Sequence, residues 1–159
     1  MSRPIVTHRG HVLEEWIDYN SHMSEGYYGV VFGDASDGIL EEIGFGSDYR
    51  EETSGSFYTV ETRISFESEL ALDAEIEVRT TVIGSDAKRL HVWHELIDVA
   101  SGERAAAQES LMLHVDQSVG RVSPMSDELA RAARQLREEH AVLPGHDEVG
   151  RTIRPVPGG

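Results

Sequence analysis

Apolar residues recur at three- and four-residue steps between Glu25 and Ile43, where Tyr28, Phe32, Ala35, Ile39 and Ile43 line one face of a helix. Ser24 stands at the N-cap position and Gly44 just past the last apolar residue, residue types that start and stop helices. Gly26, Gly29, Gly33 and Gly38 interrupt the segment, each at a cost of up to about 1 kcal/mol in helix propensity. A helix of this kind depends on tertiary packing, and its small residues let a sheet approach closely. Before it, Ile5 to Trp16 reads as extended chain, and Asp18-Tyr19-Asn20-Ser21 reads as a turn cluster.

Past the helix the period changes to two. Phe57 to Phe66 puts Tyr58, Val60, Thr62, Ile64 and Phe66 on one face of a strand. Ile76, Val78, Thr80 and Val82 alternate in the next run, then Leu90, Val92, His94 and Leu96, then Ala107, Glu109, Leu111, Leu113 and Val115. The breaks at Leu72-Asp73, Gly84-Ser85-Asp86 and Ser101-Gly102 are short enough for hairpins, which predicts an antiparallel sheet. After Pro124 a second helix is expected from Ser126 to His140, capped by Ser126, with Asp127 and Glu128 in its first turn. The predicted class is α+β: one sheet wrapped around one central helix, with a C-terminal helix. Residues 1–140 form a single domain in this reading, and 141–159, rich in Pro and Gly, form a flexible tail. An open sheet leaves edges, and edge pairing in an oligomer covers one.

Composition narrows the functional classes. The 159 residues include 29 acidic and 14 basic side chains, a formal charge of −15. Such a field repels nucleic acid and anionic membranes, so neither is expected as a partner. It serves solubility and also suits a cationic ligand, whereas an anionic ligand would need a local basic patch. No run approaches the roughly 20 apolar residues of a membrane span. Met1 to His8 lacks the apolar run and cleavage site of a secretory signal, and there is no cysteine, which together predict a cytoplasmic protein. Among the eight histidines no His-x-x-x-His pair falls on a predicted helix, and His91 and His94 point to opposite faces of a strand. No metal site is expected.

The densest cluster of reactive residue types is Glu14-Glu15-Trp16-Ile17-Asp18-Tyr19-Asn20-Ser21-His22-Met23-Ser24, which leads into the glycine-rich helix. The first N–H groups of a helix lack intrahelical partners and lie at the positive end of its dipole, where developing negative charge is stabilised. A carboxylate on the preceding loop could attack a carbonyl, or activate water, while those amides hold the carbonyl oxygen. Taken singly, Asp18 and Asn20 are also ordinary turn residues, and His22 an ordinary hydrogen-bonding group.

As a unit, Trp16-Ile17-Asp18-Tyr19-Asn20-Ser21-His22-Met23, with Tyr28 six residues after the histidine, resembles the signature of the 4-hydroxybenzoyl-CoA thioesterase family. Phe57–Phe66 followed by Glu69, Lys88–Glu95, Gly102–Ala106 and Leu111–Asp116 resemble its later strands, so the likeness runs over about residues 5–125. The resemblance implies the hotdog fold. Within the family the motif is most similar to betainyl-CoA thioesterases that accompany, or are fused to, carnitine dehydrogenase. Two positions depart from the pattern: Ser21 stands where glycine is usual, and Ser24 replaces an asparagine.

The resemblance implies an acyl-CoA thioesterase with Asp18 as the catalytic carboxylate, acting as general base or as nucleophile. Asn20 and His22 orient the loop or the thioester, and the backbone N–H groups of Glu25 and Gly26 form the oxyanion site. For a trimethylammonium acyl group, the aromatic faces of Trp16, Tyr19, Tyr27, Tyr28, Tyr58 and Trp93 are candidate contacts. Lys88 and Arg89 are candidates for the phosphates of coenzyme A, and equally read as a solvated turn pair. No cofactor is implied beyond coenzyme A as part of the substrate. The implied assembly is a homodimer or homotetramer with the site at the subunit interface. The rival reading is a non-catalytic hotdog module that binds an acyl-CoA or a small cationic metabolite.

Overall fold

The computed structural model describes residues 2–157; Met1 and the last two tail residues, Gly158 and Gly159, lie outside the described residues. The chain runs β1 (Ile5–His11), a 3-10 turn (Glu14–Trp16), α1 (Glu25–Glu42), α2 (Ser47–Thr53) and β2 (Gly55–Phe66). It continues through β3 (Glu75–Ser85), β4 (Arg89–Asp98), β5 (Arg104–Asp116), β6 (Arg121–Val122) and α3 (Asp127–His140). All pairings are antiparallel, in the order β1-β3-β4-β5-β2, with β6 added to the end of β5. The sheet curls around α1, which is the hotdog arrangement.

The α1 face read from the sequence is the buried one: Tyr28, Val31, Phe32, Ala35, Ile39 and Leu40 pack against Ile76, Val78, Leu96, Leu90 and Val92 of the sheet. Gly44, at φ 97°, ends the helix with the left-handed residue expected there. Gly38 lets α1 lie directly on β1. A Cβ at that position would overlap the Thr7 carbonyl oxygen and come 3.1 Å from Thr7 Cβ. A buried polar chain crosses the same layer. Thr7 Oγ1 meets Thr80 Oγ1 at 2.7 Å, Thr80 Oγ1 meets His94 Nδ1 at 2.7 Å, and His94 Nε2 meets Ser36 Oγ of α1 at 3.1 Å. Helix α3 closes the remaining side, and Leu129 and Ala133 join Ile39, Leu40 and Val82 in the core. Ser126 caps α3 by accepting from the Leu129 amide at 3.2 Å.

Several features differ from the sequence reading. Helix α2 was not predicted, because none of its residues is buried and it has no apolar stripe. Tyr58 does not share a face with Ile64 and Phe66. A bulge between Thr59 and Glu61 inserts one residue and reverses the alternation. Phe57 therefore faces the core, edge-on to Phe45 at 5.1 Å, while beyond the bulge Ile64 and Phe66 are the inward residues. Lastly, residues 146–150 lie against the outer sheet face: His146 stacks on Trp93 at 4.9 Å, and Glu148 pairs with Arg104 at 2.7 Å.

Candidate active site

The segment before α1 folds into a tight loop held at its neck. Ile17 and Met23 bridge antiparallel, Asp18 N–H donates to the His22 carbonyl at 3.1 Å, and Ser24 N–H donates to the Trp16 carbonyl at 2.8 Å. Met23 N–H donates to the Leu70 carbonyl at 2.9 Å, anchoring the loop to the segment after β2. The loop thus projects beside the first turn of α1. Ser21 sits at its tip with φ 66°, a left-handed conformation that costs a side-chain-bearing residue about 1 kcal/mol. That backbone geometry accounts for the glycine usual at this position.

Asp18 is partly buried. Its Oδ1 accepts the Asn20 N–H at 2.8 Å, the turn contact common for an aspartate, and among the described residues Oδ2 has no hydrogen-bond partner. Ser24 is the N-cap residue of α1, and its side chain makes no capping hydrogen bond. The first-turn amides of Glu25 and Gly26 therefore lack a side-chain acceptor there. His22 Nε2 lies 3.1 Å from Glu69 Oε2. Tyr28 is buried, edge-on to Phe66 at 5.0 Å. Its burial, and secondly the charge of Glu69, hold the phenol above its ordinary pKa, against a hydrogen bond from the Leu70 backbone. Trp16 stacks on Tyr27 at 5.8 Å, forming an aromatic pair at the base of the loop.

The structure therefore brings Trp16, Asp18, Asn20, His22, Glu25, Gly26, Tyr27 and Tyr28 to one region, the entrance to α1. Tyr19 is there too but is 95% exposed. Four other predicted residues lie elsewhere. Trp93 is fully buried on the sheet face turned away from α1, under His146 and beside Arg104. Tyr58 is half-exposed on the outer side of the edge strand. Lys88 and Arg89 sit at the β3–β4 hairpin, where both amides and the Arg89 guanidinium bind Asp86. Arg89, Arg63, His91 and Arg151 line a cleft of about 800 Å³ on the outer face. Glu69, 47 positions from His22, carried no sequence signal beyond following β2.

The arrangement of a loop carboxylate beside an uncapped helix N-terminus is suited to acyl transfer. Residues 12–133 match the family model for the thioesterase-like superfamily. The chain belongs to that superfamily. It is a thioester hydrolase of the hotdog class. It is 37% identical over 153 residues to the betainyl-CoA thioesterase of Pseudomonas aeruginosa, covering 96% of each chain. It is 40% identical over 154 residues to the L-carnitine dehydrogenase/betainyl-CoA thioesterase of Agrobacterium fabrum, and spans 31% of that longer protein. Among solved structures, a proposed thioesterase from Pseudomonas putida KT2440 superposes with a TM-score of 0.83 at 31% identity, covering 97% of this thioesterase and 98% of that chain. A Staphylococcus aureus protein solved in complex with CoA shares the fold, with a TM-score of 0.88 at 23% identity over 96% and 97% of the two chains. Among the described residues no helix is long and apolar enough to cross a membrane.

Proposed function

We propose that this thioesterase hydrolyses a small acyl-CoA, betainyl-CoA, with Asp18 as the catalytic carboxylate. The observation that carries the reading is the Asp18 loop, folded beside the α1 first turn with Oδ1 held by Asn20 and the Glu25 and Gly26 amides left without a side-chain cap. A substrate carbonyl oxygen docked on those amides would gain stabilisation as it becomes an oxyanion. Oδ2 of Asp18 then either removes a proton from water attacking the thioester carbon, or attacks that carbon to form an anhydride that water opens. In both routes the C–S bond breaks, the thiolate of coenzyme A takes up a proton, and the acid is released. Asn20 and His22 hold the loop in position.

The betainyl preference is supported by the relative of similar length in Pseudomonas aeruginosa and by the Trp16–Tyr27 pair at the loop's base. An aromatic face attracts quaternary ammonium. Lys88 and Arg89 would meet the phosphates. A second copy pairs along β2, whose free edge carries half-exposed Tyr58, Val60 and Phe66, giving a homodimer or a tetramer built from it. Phe66 touches Tyr28 beside the loop, so a partner on that edge would border the site. The reaction is assigned to the cytoplasm, in keeping with a chain that has no cysteine.

Thiol release from a panel of acyl-CoA esters tests the reading. Betainyl-CoA should be the preferred ester, and Asp18→Asn should lower its turnover by at least about 100-fold while leaving the fold intact. Retention of more than about a tenth of the activity, a barrier change under ~1.4 kcal/mol, would remove Asp18 from the mechanism. Preference for another ester would overturn the cationic substrate alone.

A further inference from the structure

The residues from Phe66 to Leu70 join the candidate site to the opposite face of the sheet. Three of them serve the site. Phe66 packs edge-on against Tyr28, Glu69 Oε2 lies 3.1 Å from His22 Nε2, and the Leu70 carbonyl accepts the Met23 N–H at 2.9 Å. Leu70 is fully buried, in one cluster with Trp16, Met23, Tyr28 and Ala105. The position of the Asp18 loop therefore follows the position of this segment.

Residues 67–70 lie past the end of β2, so no regular ladder fixes them. What holds them is the start of β5. The Glu67 and Ser68 amides both donate to the Ala105 carbonyl, at 2.9 and 3.1 Å. Ala105 is the extra residue of a bulge in the β4–β5 pairing, and that shift turns its neighbour Arg104 to the outer face. From there Arg104 grips the Glu67 carboxylate with both arms of its fork, Nη2 to Oε1 at 2.6 Å and Nε to Oε2 at 3.0 Å. Arg104 is itself fixed. Its guanidinium lies 5.8 Å from the centre of the Trp93 ring and donates to Glu95 at 3.2 Å and to Glu148 at 2.7 Å. These pairings, Glu67 first, hold its pKa above the ordinary value against the effect of burial.

Three carboxylates thus gather around one guanidinium, and without it they repel one another. Glu95 is held within β4, and Glu148 by its backbone bond to Arg63. Glu67, on a segment without a ladder, is the one able to move.

We propose that Arg104 is a positioning residue of the candidate active site: by gripping Glu67 from the outer face it sets the Glu67–Leu70 segment, and through it the His22 and Met23 contacts that hold the Asp18 loop. The inference rests on the catalytic reading of that loop, but a readout without turnover tests the tie itself.

Hydrogen exchange of the full-length protein provides that readout. In Arg104→Gln the amides of residues 16–24 should exchange at least about 10-fold faster, while those of residues 90–96 in β4 keep their wild-type rate. Unchanged exchange over 16–24, or faster exchange throughout the chain, overturns the proposal. In acyl-CoA hydrolysis Arg104→Gln should lower kcat at least about 5-fold and leave KM within about 2-fold of wild type. Glu67→Gln should do the same, and the double variant should be no slower than the slower single, because the two side chains act as one unit. Losses that multiply in the double variant overturn the tie through Glu67. Glu148→Gln should leave kcat unchanged; a loss equal to that of Arg104→Gln would assign the effect to the C-terminal segment and overturn the proposal too. Faster exchange confined to the loop, with kcat unchanged, would sustain the tie and sink the catalytic reading of Asp18.

Discussion

His94 gives a quantitative link between the core and pH. Its ring is fully buried between Thr80 and Ser36, against Phe32 at 6.0 Å, and burial pushes its pKa down to about 3. The ordinary value is about 6.5, which the unfolded chain regains. Because the folded pKa is depressed, the full stability is present above about pH 6.5 and declines as pH falls from there toward about 3. At pH 5.0 the unfolded imidazole is almost wholly protonated and the folded one is not. The difference is 1.36 kcal/mol for each of about 1.5 pH steps, or about 2 kcal/mol. Any folded pKa below about 4 gives the same figure. Urea unfolding of wild type and His94→Gln at pH 7.5 and pH 5.0 measures this directly. The variant can be less stable at both pH values, but the wild type should lose about 2 kcal/mol more between them. His140, also depressed chiefly by burial, titrates in both proteins and cancels. Equal losses, within about 0.5 kcal/mol, would show that His94 carries no such penalty and would refute the argument.

Two further substitutions test the packing and the loop. Gly38→Ala adds a methyl group that meets the Thr7 backbone, which cannot swing aside, so about 1–3 kcal/mol of stability should be lost; an unchanged Tm would mean that α1 can move off β1. Glu69→Gln removes the charge beside His22 but at an exposed site, so stability should change by less than ~1 kcal/mol. If that pair orients the loop, kcat should fall by up to about 5-fold and the pH profile should change shape, while a KM effect alone would assign Glu69 to binding.

The elements that bury an apolar face were legible in the sequence. The α1 residues Tyr28, Phe32, Ala35 and Ile39 face the sheet as their spacing required, and the inward residues of β3 and β4 are those read from the two-residue period; on β5 the inward set is Ala106, Gln108, Ser110 and Met112, opposite to the expected Ala107, Glu109, Leu111 and Leu113, because polar Gln108 and Ser110 stand among the inward positions. What periodicity could not carry was any feature without an apolar signal. Helix α2 turns only Tyr49 inward, against Phe45 and His114, too little for a periodic signal, and the β2 bulge leaves composition unchanged while reversing which side chains face inward. Trp93 is an outward position on β4, yet it is covered by His146 from a segment 53 positions away. For the candidate site, the Asp18–Met23 cluster was visible because it is contiguous. The Glu69 partner of His22 was not, because it depends on tertiary proximity.

The bulge in β2 also bears on solubility. An edge strand of 12 residues would otherwise present one continuous ribbon of free amides and carbonyls, the template on which misfolded chains accumulate. The extra residue between Thr59 and Glu61 divides that ribbon into two short segments that are out of phase. A flat strand from an unrelated chain can zip onto only one of them at a time. The edge thus tolerates a partner shaped to its step and resists open-ended fibrillar stacking.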